Sequence, residues 1–356
     1  MESGILTKGD IDSCMERLKS FFPSFLDIAN DEIKSYDVSG EVLQYYSYAI
    51  QYNLQGGKML RGTLVAATVK TLAGDNMTET LWLQTLTLAW CVELLQTSFL
   101  VADDMMDQST TRRSNACWYL VPTIGIKNAI NDTMFLYTLI NRIIINNLKD
   151  HPNLLEIIDT FGRVSMTTIL GQHMDTYDSQ DKSLLDSGEV ATKLFNRICK
   201  NKTSYYTFFL PVKFGMILSG MDSSNLCYSR VESISVLLGL LFQAQDDFLD
   251  CYGNPEHCGK DGTDIQTRKC SWLLAKALSI GSQDQIRRIK ENIGKCDEDK
   301  VQIVKDVFDE LEMQSLFAQY SGELTEKIED EINQLDHRGI KSILQWSLHI
   351  ITKRSK

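Results

Sequence analysis

From Glu79 to Asp107 the chain reads ETLWLQTLTLAWCVELLQTSFLVADDMMD, with no glycine or proline and with apolar residues on nearly every side of a helix. A helix that is apolar all round buries its whole circumference, so this segment is expected in the middle of a helical bundle rather than on its surface. Its last turns carry Asp103, Asp104 and Asp107, which collects three carboxylates at one end of a buried rod. No glycine occurs anywhere from residue 75 to 124, and the only prolines are Pro23, Pro122, Pro152, Pro211 and Pro255. Long helices follow from that scarcity of breakers.

The segments 127–149, 155–181, 190–220, 229–252, 267–280 and 299–334 also repeat apolar residues at helical spacing, and nothing alternates as a strand does. Breaks are expected at AGDN (73–76), VPTIG (121–125), DHPN (150–153), SGMDSSN (219–225) and YGNPEHCGKDG (252–262). None is long or polar enough for a linker. The expectation is therefore one all-α domain spanning residues 1–356, without solenoid repeats.

With Lys+Arg 36 against Asp+Glu 47, the net charge of −11 argues against a nucleic-acid partner and makes cations the natural ligands. The nine cysteines include no CxxC pair, which suits thiols in a reducing compartment better than a zinc site. MESGILTKGDIDSCMERLK has neither the apolar core of a signal peptide nor the Arg-rich, acid-free face of a transit peptide, so a cytoplasmic location is expected. No run approaches the roughly 20 apolar residues of a membrane span.

One short motif occurs twice: DDMMD at 103–107 and DDFLD at 246–250. On a helix Asp103 and Asp107 stand one above the other with Asp104 about a third of a turn away, and Asp246, Asp250 and Asp247 repeat the pattern. Acids four apart repel by a few tenths of a kcal/mol on an exposed helix, and by more where the surroundings are apolar. Solvated helix faces remain one reading of such clusters. The other is metal binding: hard oxygen ligands without nearby histidine or cysteine suit Mg²⁺, which keeps waters and phosphate oxygens as co-ligands. Two such triplets could clamp a diphosphate.

Cations bracket these motifs. GGKMLRG places Lys58 and Arg61 after two glycines, TTRRS puts Arg112 and Arg113 behind the first triplet, and Lys202 and Lys260 lie in KNKTSYY and CGKDGTD. Together with GQHMD and LFQAQDDFLDCYGNPEHCGKDGTDIQTRKCSW, the set resembles the trans-isoprenyl diphosphate synthases, in particular the farnesyl-forming members of animals, from about residue 45 onward.

That resemblance implies an isoprenoid-synthase helical bundle around a central cavity, usually homodimeric. It implies three Mg²⁺ ions on the allylic prenyl diphosphate, held by the aspartates of both motifs, with Arg112, Lys202 and Lys260 around the same anion. Isopentenyl diphosphate would lie against Lys58, Arg61, Gln96 and Arg113, and the basic C-terminus, through Arg354 or Lys356, would close over it. Gln243, Thr203 and the Lys202 carbonyl would stabilise the allylic cation by their dipoles, with no side-chain general base.

Three positions depart from the family pattern. Ser98 and Phe99 stand where two phenylalanines commonly floor the chain pocket; Phe99 lies one turn, roughly 6 Å, from Asp103. The space at Ser98 either lengthens the product or is filled by a side chain such as Phe135 or Tyr137. Leu60 and Ser114 replace a customary asparagine and glycine. In some insect lineages such proteins have become terpene synthases, so that a lyase acting on a finished prenyl diphosphate is the rival to coupling. An inactive partner subunit is a third, non-enzymatic reading.

Overall fold

The computed structural model describes residues 5–253 and 262–353, and these are almost wholly helical, as the spacing predicts. Lys260, Cys258, Arg354 and Lys356 lie outside the described residues. The helices group into two compact units, Met1–Arg163 with Leu210–Val231 and Leu335–Ile343, and Val164–Phe209 with Glu232–Gln334 and Leu344–Lys356.

In the first unit α1 (Lys8–Lys34), α2 (Gly40–Leu54), α3 (Leu60–Ala73), α4 (Glu79–Met106) and α5 (Gly125–Asn147) are followed by the first turns of α6 (Leu154–Thr176). The long apolar helix α4 is central: α1, α2, α3, α5 and α8 (Leu210–Leu218) all pack on it. By length and composition it could cross a membrane, but 78% of its most apolar stretch is buried inside the protein, so it is a core helix. α1 starts with a reciprocal cap in which Thr7 Oγ1 accepts from the Asp10 N–H and Asp10 accepts from the Thr7 N–H. A small β-hairpin, β1 (Thr111–Arg112) against β2 (Asn115–Ala116), follows α4; alternation over two residues is too short for the sequence to reveal it.

The second unit contains α7 (Gly188–Ile198) and most of α9 (Cys227–Tyr252), then the helices Trp272–Ile280, Gln283–Asn292, Glu298–Glu310 and Met313–Asn333. The single helix expected over 299–334 is broken at Glu312, whose φ of 53° caps the second piece in a left-handed conformation. The helix expected over 190–220 is not uniform either: residues Cys199–Phe209 wind as a π-helix between α7 and α8. A π-helical stretch is rare, and sequence spacing read against the ordinary 3.6-residue period does not look for it. The core is built on Phe195, Ile198, Trp272, Leu273 and Phe308, with Phe248 stacked 4.2 Å from Phe317. Two of the unit boundaries fall inside α6 and α9, and another falls in the loop after the helix Met313–Asn333.

Candidate active site

The first aspartate motif closes α4. Acids at a helix C-terminus face the negative end of the backbone dipole, so this placement needs a cation. Asp107 is the C-cap itself, donating its N–H to the Asp103 carbonyl at 2.8 Å. The three carboxylates are not equivalent. Asp103 and Asp107 are half-buried, whereas Asp104 is 3% exposed and turned into the protein.

Arg112 returns on β1 to meet it: Asp104 Oδ1 accepts from Arg112 Nε at 2.9 Å and from Nη2, and Nη2 also lies 3.9 Å from Asp103 Oδ2. Burial raises the Asp104 carboxyl against the Arg112 charge, and the carboxylate holds Arg112 protonated despite burial. The hairpin makes this possible by turning at Arg113 and Ser114, both at positive φ (53° and 64°), as a two-residue turn requires. The guanidinium of Arg113 then lies on the bend before α3. It donates to the carbonyls of Asn53 (2.6 Å) and Gln55 (3.3 Å), and a Cβ at Gly57 would stand 2.9 Å from Arg113 Cζ. The second glycine of GGKMLRG is thus a seat for Arg113. Lys58 is exposed, Arg61 is 6% exposed at the start of α3, and Gln96 is half-buried on α4.

Ser98 is 3% exposed and donates to the Leu95 carbonyl at 2.8 Å, while Phe99 is half-buried one turn before Asp103. The two side chains considered as fillers are engaged with other rings: Phe135 stacks on Tyr46 (3.7 Å) and Tyr137 on Phe161 (5.6 Å).

In the second unit the other motif repeats the inequality: Asp246 and Asp250 are half-buried, and Asp247 is 3% exposed. Asp247 ends a chain of hydrogen bonds. Thr203 Oγ1 donates to Gln243 Oε1 (2.7 Å), Gln243 Nε2 donates to Asp247 Oδ1 (2.9 Å), and the Trp272 N–H donates to Asp247 Oδ2 (2.8 Å). Burial pushes Asp247 up to about 7, against the pull of Lys269 and its hydrogen bonds. Asp250 accepts from the backbone N–H groups of Thr263 (3.3 Å) and Asp264 (3.0 Å).

Lys202 and Thr203 sit on the π-helix. It lies against α6 at Gly171, where a Cβ would fall 2.2 Å from the Lys202 nitrogen. Lys202 Nζ pairs with Asp175, and Lys269 Nζ lies 3.8 Å from the same carboxylate and 3.6 Å from Asp264. Neither Asp175, in GQHMD, nor Lys269 stands out in the sequence as a site residue. Their one signal was being charged residues inside those quoted stretches.

Among the described residues no group of three or more His, Cys, Asp or Glu side chains converges as a ready-made metal cage. The donors fit Mg²⁺ in another way. Each motif leaves two half-buried carboxylates one turn apart, which suits an ion that takes only one or two protein oxygens and fills its shell with water and phosphate.

The class of protein these features define is a prenyl diphosphate synthase: the chain belongs to the polyprenyl synthetase family, whose profile matches residues 43–311. It is similar to the farnesyl pyrophosphate synthase of Saccharomyces cerevisiae (36% identical over 347 residues; 96% of this chain, 97% of that protein). It is also similar to that of Zea mays (38% over 323 residues; 90% and 91%). Among solved structures, Trypanosoma brucei farnesyl diphosphate synthase complexed with bisphosphonate matches with a TM-score of 0.89 at 29% identity, covering 96% of this chain and all of that one. The likeness seen in the sequence was to animal enzymes; these relatives are fungal, plant and protozoan.

Proposed function

We propose that this protein condenses isopentenyl diphosphate with an allylic diphosphate to give farnesyl diphosphate or a product of neighbouring chain length. The observation that carries it is the shared design of the two motifs: in each, the middle aspartate is sequestered and the outer two are left half-buried on one helix face. Structural acids in apolar helices would all be paired inward; a solvated face would leave all three outside.

In this reading Asp103, Asp107, Asp246 and Asp250 hold Mg²⁺, with three ions expected on the allylic diphosphate. Held there, Mg²⁺ would supply positive charge to the diphosphate leaving group. Asp104 and Asp247 act from behind, one orienting Arg112 and the other fixing the Gln243 amide. Arg112 and Lys202, with Lys260, add positive charge around the departing anion. Lys202 leaves Asp175 for the phosphate oxygens, a fair exchange of one anion for another. The Gln243 and Thr203 dipoles face the allylic cation, the isopentenyl double bond attacks it, and the released diphosphate takes the proton lost in forming the new double bond. Lys58, Arg61, Gln96 and Arg113 hold the second substrate.

Likeness over nearly the whole chain to proteins named farnesyl pyrophosphate synthase supports coupling over terpene synthesis. Ile126, Ile130 and Met134 form an exposed apolar stripe along α5, which supports a homodimer burying it. Free cysteines throughout the described residues support a reducing compartment such as the cytoplasm, although one relative, from Arabidopsis thaliana, is named mitochondrial. The unit boundaries inside α6 and α9 support a single domain.

The test is product analysis by mass spectrometry with Mg²⁺, isopentenyl diphosphate and each allylic starter. Farnesyl diphosphate is expected, and Asp103→Ala or Asp246→Ala should lower turnover at least a thousandfold without unfolding the chain. A volatile hydrocarbon or alcohol formed from farnesyl diphosphate alone would overturn the coupling reading.

A further inference from the structure

α3 begins without a cap of its own. Met59, at the N-cap position, is in a left-handed conformation (φ 46°), and its side chain makes no capping hydrogen bond. The first N–H groups of a helix need an acceptor, and here it comes from another helix. Glu93, 2% exposed on α4, accepts from the Gly62 N–H at 2.7 Å, and the Arg61 N–H is directed to the same carboxylate. A negative side chain at a helix N-terminus is favourably placed against the backbone dipole. The Arg61 and Arg113 charges both act on Glu93 and favour its ionised form. Gln96 lies one turn further along α4, on the same side.

A buried carboxylate costs free energy, and burial raises this one towards the neutral form; the Gly62 N–H and the two arginines oppose that. Nothing in the metal motifs requires it. Its position brings it against the start of α3 and into the field of both arginines together.

We propose that Glu93 is a positioning residue for the homoallylic substrate, capping α3 from α4 so that Arg61, with Arg113 over the Gly56–Gly57 bend, is already arranged for the second diphosphate. The assignment of that subsite rests on the function proposed above, but the effect on anion binding does not require turnover.

The test uses the full chain carrying Glu93→Gln or Glu93→Ala. The amide of Glu93→Gln can still accept from the Gly62 N–H; Glu93→Ala cannot. Calorimetry with inorganic pyrophosphate in chelator, where the aspartate motifs hold no metal, reads anion binding by the side-chain cations without the metal-dependent part. Affinity should fall about tenfold in Glu93→Ala and less than about threefold in Glu93→Gln, the scale of a lost cap. In the coupling assay the KM for isopentenyl diphosphate should rise in parallel while that for the allylic diphosphate stays within about twofold. Unchanged pyrophosphate affinity in Glu93→Ala would overturn the proposal, as would equal rises in both KM values. If wild type failed to couple while pyrophosphate binding still depended on Glu93, the proposed reaction would fall and the capping role would stand.

Discussion

Asp247→Asn tests the reading of the second motif most sharply, because its effect has a sign that changes with pH. Asp247 is buried between Gln243 and the Trp272 N–H, and its folded pKa is raised from 3.8 to about 7. A raised folded pKa means that the folded state binds the proton more tightly than the unfolded chain. The associated stability is fully present below about pH 4 and is lost as pH rises through 7. Each pH unit well inside that window is worth about 1.4 kcal/mol and less near pH 7, so between pH 5 and pH 7 the wild type should lose about 2 kcal/mol that the variant keeps.

At pH 5 the protonated acid and the carboxamide both offer one acceptor and one donor group. The two proteins should then match to within about 1 kcal/mol. At pH 8 the variant should be the more stable, by about 5 °C in Tm for a chain of this size. The assay is thermal unfolding in chelator from pH 5 to 8.5, comparing the difference between the two proteins so that all other titrating groups cancel. Parallel curves across that range would refute the reasoning, since they would mean the carboxylate is ionised throughout and its burial fully offset. A second readout is turnover. To pair with the new amide, Gln243 must rotate its own amide, which turns its oxygen away from Thr203, so kcat should fall even where stability rises.

Gly171→Ala places a methyl 2.2 Å from the Lys202 nitrogen, and because main chain must move to admit it, a loss of about 1–3 kcal/mol in urea unfolding and a lower kcat are expected together. Ser114→Gly relieves one left-handed residue; against the greater freedom of glycine in the unfolded chain, a net gain of about 0.5 kcal/mol with unchanged kinetics is expected, and a loss in denaturant midpoint would count against strain at that turn. Ser98→Phe should shorten the products seen by mass spectrometry; an unaltered distribution would mean that this position does not border the growing chain.

Much of the architecture was legible in the sequence because helices announce themselves over many residues. α4 needed only its unbroken apolar run, and the two DDxxD spacings placed three carboxylates on each helix end by geometry alone. The chain by itself therefore determined the fold class, the location of the acidic motifs and, through its resemblance, the family. It did not determine which aspartate is sequestered and which is left half-buried. Asp104 and Asp247 look like their neighbours in sequence, yet Arg112 eight residues on, Gln243 one turn back on the same helix and the Trp272 N–H from the next helix hold them inward, while the outer acids stay half-buried. The π-helix under Lys202, the hairpin that seats Arg113 on Gly57, and the capping of α3 by Glu93 were likewise settled only by tertiary structure. Each depends on which backbone N–H or charge arrives from another element, and local periodicity holds no record of that.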